Sequence, residues 1–260
     1  MATAVDTLVK TPVKPPARKR ARPAREYYKI LRHDLTHNGF KYKPGLNVDT
    51  RRFHPYIPGG LHFSDRENIA SFMNFGPLIA RVTIPKDARV VHVSDDPLVF
   101  RADRIVLSDI QPIQDWDAWS DPKFCLAAIE KYACVIQFIK NQTDELCLAA
   151  VKKFGWSINF VKNQTYEICL AAVENDGQIL DDIKNQTDEI CLAAVKQSGW
   201  GLQHVRNQTE EICLAAVKQN GMALQYVQHQ TDEICRAAVQ QNRNAFQFVK
   251  DKTILEEEEE

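Results

Sequence analysis

No stretch of this 260-residue chain approaches the roughly 18 consecutive apolar residues that a membrane-spanning helix requires. The beginning of the chain also lacks the apolar segment of a secretory signal, which predicts an intracellular protein. There is no glycine-rich phosphate loop and no defensible Ser-His-Asp ordering. Cysteines never fall two to four residues apart with histidine beside them, the spacing that zinc sites need. These absences leave no catalytic residue, no metal, no cofactor and no membrane contact to expect.

What the chain does have is unevenly distributed. Apolar residues make up 44% of it, enough for a packed core, and the net charge of −1 conceals two poles. Lys10, Lys14, Arg18, Lys19, Arg20, Arg22 and Arg25 occur with no acid among them, and the far end closes on five glutamates. Single-sign ends of this kind are solvated. Pro12, Pro15, Pro16 and Pro23 add to the extended character of residues 1–25. The segment PARKRAR resembles a nuclear-localisation or phosphate-binding cluster, and Lys14, Arg18, Lys19, Arg20, Arg22 and Arg25 of the arm are the candidate contacts for nucleic acid or import.

Six of the seven cysteines stand at 125, 147, 169, 191, 213 and 235, a strict interval of 22. Stacked helices lie about 8–10 Å apart, whereas a disulfide needs Cα atoms within about 7 Å. The ladder therefore reads as a row of small buried side chains. The unit TDEICLAAVKQSGWGLQHVRNQ, residues 187–208, shows why. Thr187 is an N-cap, and Asp188 and Glu189 suit the positive end of a helix dipole. Ile190, Cys191, Ala194 and Val195 share one apolar stripe, widened by Leu192 and Ala193. Gly199 fits a left-handed C′ position. A shorter second helix follows, with Leu202 and Val205 inward, and Asn207 and Gln208 turn the chain into the next unit. Helices this short do not persist alone in water. Stacked copies bury one another's stripes, which is the logic of a solenoid.

The cap position holds Asp121, Thr143, Thr165, Thr187, Thr209 and Thr231, giving six units over residues 121–252. The expected fold class is α+β: a basic arm (1–25), a small mixed domain (26–115), an all-α solenoid of short helix pairs (121–252) and an acidic tail (253–260). In the mixed domain, residues 27–31, 61–64, 81–84, 88–93 and 104–107 read as strands. Residues 66–75 read as a helix with Ile69, Phe72, Met73 and Phe75 inward. Trp116 and Trp119 stand where they would pack the two parts together.

Positions that stay constant from unit to unit serve the stack, and variable ones face water or a partner. Phe154, Trp156, Phe160, Trp200, His204, Tyr226 and Phe248 occupy variable positions and are the candidate contacts for a protein partner. The competing reading is that the tryptophans fill gaps between layers.

The repeats, EICLAAVKQNG with NQT at the turn, resemble tandem repeats of giant DNA virus proteins. The segment HNGFKYKPGLNVD, followed by PGGLHFS and MNFG, resembles the N-terminal domain that giant viruses place ahead of such repeats. The resemblance implies a viral scaffold that binds a viral or host protein, in the infected cell or in the particle, and it supplies no catalytic residues. GGLHFSDRENIASF is also similar to the glycine–aromatic strand and following helix of ADP-ribosyltransferases, which implies an alternative NAD-dependent enzyme with a cleft near His33, Tyr42 and His62. The first strand, YYKIL, lacks that family's His or Arg. A third alternative is a virion protein whose basic arm contacts nucleic acid.

Overall fold

The computed structural model describes residues 25–51, 53, 59–95 and 97–253. Lys14, Arg18, Lys19, Arg20 and Arg22 of the basic arm and the closing glutamates lie outside these residues, and Arg25 is exposed at their edge. The architecture is α+β, as expected. Among the described residues nine strands come first: β1 (Tyr27–Leu31), β2 (Thr36–His37), β3 (Phe40–Lys41), β4 (Gly45–Val48), β5 (Leu61–Asp65), β6 (Leu78–Thr83), β7 (Val90–Asp95), β8 (Leu98–Ala102) and β9 (Arg104–Pro112). Seven form an antiparallel sheet in the order β4-β9-β6-β1-β5-β8-β7. Strands β2 and β3 form a separate hairpin across Asn38-Gly39, whose φ values of 50° and 73° are what a two-residue hairpin turn requires.

Strand β1 pairs with β6 along its whole length but with β5 only at Tyr27↔Asp65 and Tyr28↔Ser64. Beyond that point β1 and β5 part, and the sheet has a split. The segment expected to be a helix over 66–75 is instead a 3-10 helix, Ile69–Phe75. Ile69, Ala70 and Met73 are buried, Phe72 is partly buried, and Phe75 is 52% exposed rather than inward. Three residues per turn eclipse positions 69, 72 and 75 in a row that runs off the edge of the core.

One sheet face carries Leu31, Tyr42, Leu61, Phe63, Ala80, Val82 and Ile105 in a local core. The other contributes Tyr28, Ile30 and Ile79 to a core that continues through Trp116 and Trp119 into the repeats. Trp116 meets Tyr28 at 4.8 Å and Phe124 at 5.1 Å between ring centroids. Trp119 donates its indole N–H to the Ile113 carbonyl at 2.7 Å and stacks on Phe138. A buried indole needs such an acceptor.

Six α-helices of ten residues follow: α1 (Pro122–Lys131), α2 (Asp144–Lys153), α3 (Tyr166–Asn175), α4 (Asp188–Gln197), α5 (Glu210–Gln219) and α6 (Asp232–Gln241). Each is capped by Asp121 or by the threonine of its repeat, whose side chain accepts a first-turn backbone N–H. The second helix of every pair is a six-residue 3-10 helix, such as Gly199–His204. In α4, Ile190, Cys191, Ala194 and Val195 are buried, the stripe that helical spacing predicts. All seven cysteines are free thiols, and the six of the ladder are buried.

The glycine has a different role from the one its position implies. None of Gly155, Gly177, Gly199 and Gly221 has a left-handed φ. The helix ends on an extended residue, Ser198 in α4 with φ −147° and ψ 112°, and the glycine opens the 3-10 helix. Glycine is required because the next layer presses on it. A Cβ on Gly199 would lie 2.7 Å from the Ala216 carbonyl oxygen, and one on Gly177 would collide with the Ala194 carbonyl.

Two side-chain bridges join each layer to the next. Gln186 donates to the Leu180 carbonyl at 2.8 Å in its own turn and to the His204 carbonyl at 3.0 Å in the following repeat. Its amide oxygen accepts the Arg206 backbone N–H at 3.0 Å. Gln142, Gln164, Gln208 and Gln230 repeat this pattern. The second bridge runs backwards: Gln197 accepts the Gly177 N–H, and Asn175, Gln219 and Gln241 do the same for Gly155, Gly199 and Gly221.

Gly177→Ala should therefore lower stability by about 2 kcal/mol or more, the scale of a forced overpacking. Arg243→Ala, at the equivalent place in the last repeat, should change it by less than about 0.5 kcal/mol. Urea unfolding followed by circular dichroism checks both; equal effects would contradict the close-approach account. Gln186→Ala leaves carbonyls and an N–H without their bridge, and should cost roughly 1–3 kcal/mol in the same assay.

Candidate functional site

The outward side chains of the 3-10 helices form one face of the stack. Trp200, the second residue of its 3-10 helix, meets Tyr226, the last residue of the next one, at 5.9 Å between ring centroids. The two positions are thus adjacent columns running from layer to layer. The first column holds Trp156, Gln178, Trp200, Met222 and Asn244, and the second holds Phe160, Asp182, His204, Tyr226 and Phe248.

The seven candidate residues divide into two groups. Phe154, Trp156 and Phe160 are 45%, 41% and 38% exposed. Trp200, His204, Tyr226 and Phe248 are half-buried, and Tyr226 and Phe248 pack against the core. Tyr166, 46% exposed, joins the first group without having been singled out from the sequence. It opens α3 at the place where α2, α4, α5 and α6 begin with an acid, so comparison of the repeats contained the signal. The exposed aromatics border the acidic third repeat. Trp156 donates its indole N–H to Asp176 at 2.8 Å, and Asn159 donates to Asp182 at 3.0 Å.

A second site lies in the sheet split. A cavity of about 290 Å³ is lined by residues that include Lys29, His37, His62, Phe63, Phe72 and Phe75. Lys29 belongs to β1 and is 2% exposed. Its Nζ donates to the His62 carbonyl at 2.7 Å, lies 2.9 Å from His37 Nδ1, and stands 4.4 Å from the centre of the Tyr42 ring. Among the described residues no carboxylate pairs with it. Burial pulls its pKa down to about 7. The same desolvation, reinforced by the Lys29 charge, holds His37 and His62 down to about 4, so both rings are neutral at pH 7. Tyr42 is pushed well above its usual value by burial.

Of the three residues that marked an expected cleft, Tyr42 and His62 meet at Lys29. Only His62 of the three lines the cavity; Tyr42 is buried beside Lys29, and His33 is exposed in the turn after β1. The volume suits a small molecule or a fragment rather than a whole dinucleotide. Lys29 escaped the sequence reading because a lysine within a strand reads as a solvent-facing residue. His37 arrives on the β2–β3 hairpin, for which Asn38-Gly39 was the available signal.

Among the described residues no cluster of His, Cys, Asp and Glu has the arrangement of a metal site, and no helix is long and apolar enough to cross a membrane.

A family model described as "Domain of unknown function (DUF4116)" matches residues 187–230 and again residues 209–253. Both matches begin on a capping threonine and are offset by one repeat, so the model's unit is a pair of layers. The chain is 36% identical over 64 residues to ankyrin repeat protein R896 of Acanthamoeba polyphaga mimivirus, covering 23% of this chain and 19% of that protein. It is 29% identical over 99 residues to uncharacterized protein R869 of the same virus, covering 36% of this chain and 72% of that protein. With ankyrin repeat protein R868, also of that virus, it shares 29% over 101 residues, covering 36% of this chain and 50% of that protein. The chain thus spans under a fifth of the first relative and half of the third. No solved structure matches it. The chain is a repeat protein similar to proteins of giant DNA viruses. Its 22-residue period is shorter than the roughly 33 of an ankyrin repeat.

The Lys29 environment has a measurable signature. A lysine whose folded pKa is depressed binds fewer protons in the folded chain than in the unfolded one, so its penalty is full below the folded pKa and is relieved as pH rises toward the unfolded value of about 10.5. Lys29→Met should therefore gain relative stability at acid pH. The stability difference between variant and parent should shift in the parent's favour by about 2 kcal/mol from about pH 6 to about pH 9. A pH-independent difference would mean that Lys29 titrates normally.

Proposed function

We propose that this chain is a non-catalytic interaction scaffold, and that a protein partner docks on the 3-10 face of the stack around its second and third repeats. The observation that carries this reading is the concentration of exposed large aromatics in and beside the second repeat's 3-10 helix. Trp156 and Phe160 belong to that helix, Phe154 precedes it and Tyr166 opens α3, all within thirteen sequence positions, while most of the equivalent places in the other repeats hold polar or smaller residues. Ordering large aromatics in water without covering them gains nothing, and aromatics in partly exposed clusters are the usual anchors of interfaces. The acids of the third repeat, Glu174, Asp176, Asp181 and Asp182, set the polar rim. The partner surface is accordingly apolar at its centre and basic at its edge. The names of two relatives refer to ankyrin repeats, a module whose stacked surfaces bind proteins. On that basis the scaffold works with a viral or host protein, in the infected cell or in the particle.

Trp156→Ala combined with Phe160→Ala should leave helical content and unfolding midpoint nearly unchanged, because both side chains are exposed. Association with the partner recovered by the parent chain from infected cells should fall by at least about tenfold, equivalent to about 1.4 kcal/mol. Quantitative affinity purification with both chains measures it. Undiminished recovery with the double variant would remove this face from the proposal.

A further inference from the structure

The cavity in the sheet split is not explained by the scaffold reading. Its walls are mostly apolar, with Ile30, Phe63, Ile69, Phe72, Phe75 and Val99 around it. Phe75 is half in solvent and lies 6.3 Å from the His37 ring and 6.1 Å from Phe72, ring centre to ring centre. The polar groups at its wall are the Lys29 amine and the His37 and His62 rings, together with Asn38 and Ser64.

No acid lines this cavity. Lys29, His62 and Arg32 bear on His37, Lys29, Arg101 and Arg51 bear on His62, and the Asp49 carboxylate bears on Tyr42. Of these, Arg51 is paired with Asp49, and Arg101 donates to the Gly59 carbonyl. No anion answers Lys29 among the described residues. A cation in an apolar surrounding without a counter-ion is costly, and an anion arriving there gains what the protein does not supply.

Hydrogen bonding points the same way. With Lys29 protonated, His37 Nδ1 accepts from it, so the neutral His37 ring carries its own proton on Nε2. The His62 ring has no hydrogen-bond partner among the described residues, and as a neutral imidazole it has one N–H to give. Two N–H donors at the edge of an aromatic-walled cavity form a receptor for an acceptor group on a flat apolar body.

We propose that the sheet split binds a small aromatic carboxylate, its ring between Phe63, Phe72 and Phe75 and its carboxylate hydrogen-bonded by His37 and His62 in the field of Lys29. Binding draws a proton onto the Lys29–His37 pair, because the bound charge favours the ammonium. The other ionisable groups facing Lys29 do not supply it. His62 on β5 and Tyr42 ahead of β4 stay neutral, held so by their burial.

Calorimetry on the full chain with benzoate and with benzyl alcohol, its uncharged counterpart, tests the proposal. Benzoate should bind saturably and at least about tenfold more tightly than benzyl alcohol. At about pH 8, repetition in two buffers of different ionisation heat should show uptake approaching one proton per site. Lys29→Met should lower benzoate affinity at least about tenfold, abolish the uptake and leave benzyl alcohol unaffected. Should Lys29→Met fail to fold, His62→Phe keeps an aromatic strand residue while removing one donor, and should weaken benzoate alone. Absence of benzoate binding, equal binding of both probes, or binding without proton uptake would each overturn the proposal. None of these outcomes bears on the partner face, whose variants lie in the second repeat.

Discussion

The distance between adjacent layers governs this molecule. Ala172, Ala194, Ala216 and Ala238 each present a carbonyl that already accepts the N–H closing its helix. The preceding repeat's glycine rests against that same oxygen, closely enough that a methyl group would not fit. Because the backbones approach so far, a single side chain can span the junction. A glutamine amide then meets backbone groups on both sides, and a helix-end Asn or Gln reaches the glycine N–H. At the first junction Ala133 stands in the glycine's place and Lys153 in that of the acceptor, and Gln142 still bridges the two layers.

Fixing the junction in backbone terms frees the rest of each repeat. Inward positions vary little among Ile, Leu, Val, Ala and Cys because they fill a constant gap, and a close-packed interior tolerates few changes of volume. The thiols are consistent with that role: burial pushes Cys191 and Cys213 up to about 11, so they are neutral fillers rather than nucleophiles. Outward positions on the 3-10 helices carry no such duty. The chain can place tryptophan, aspartate or histidine there, one layer at a time, without disturbing the stack.

This division also explains what could be read without coordinates. The threonine caps, the acidic first turns and the buried Ile-Cys-Ala-Val stripe follow from chemistry within one helix, so a single repeat was enough to find them. The role of Gln186 depends on the layer above it, and from the sequence it is only one more polar turn residue. Gly199 misled for the same reason: a glycine after a helix satisfies a local capping rule and a tertiary packing rule equally well, and here the tertiary one operates. In the sheet, the short strands β4 and β8 carry Asn47 and Arg101 inward, against the alternation that reveals a half-buried strand. Phe75 shares a row with Ile69 and Phe72, and its exposure depends on where the sheet core ends rather than on the helix itself.

Lys29 shows how far the two halves are one object. It lies on β1 between Tyr28 and Ile30, which point to the opposite sheet face and join the core shared with the repeats. The 3-10 helix Ile69–Phe75 lends Ile69 and Phe72 to the cavity wall and Ile69, Ala70 and Met73 to that same core. Its flank reaches the first repeat directly, since Lys131 donates to Asn68 at 3.0 Å and Arg66 lies over the Phe124 ring. The cavity and the first layer of the stack therefore share a wall one helix thick. Packed interiors transmit displacement rather than absorb it, so a group that widened the sheet split would have to move the helix on which α1 rests. The N-terminal domain is the platform from which the register of all six layers begins.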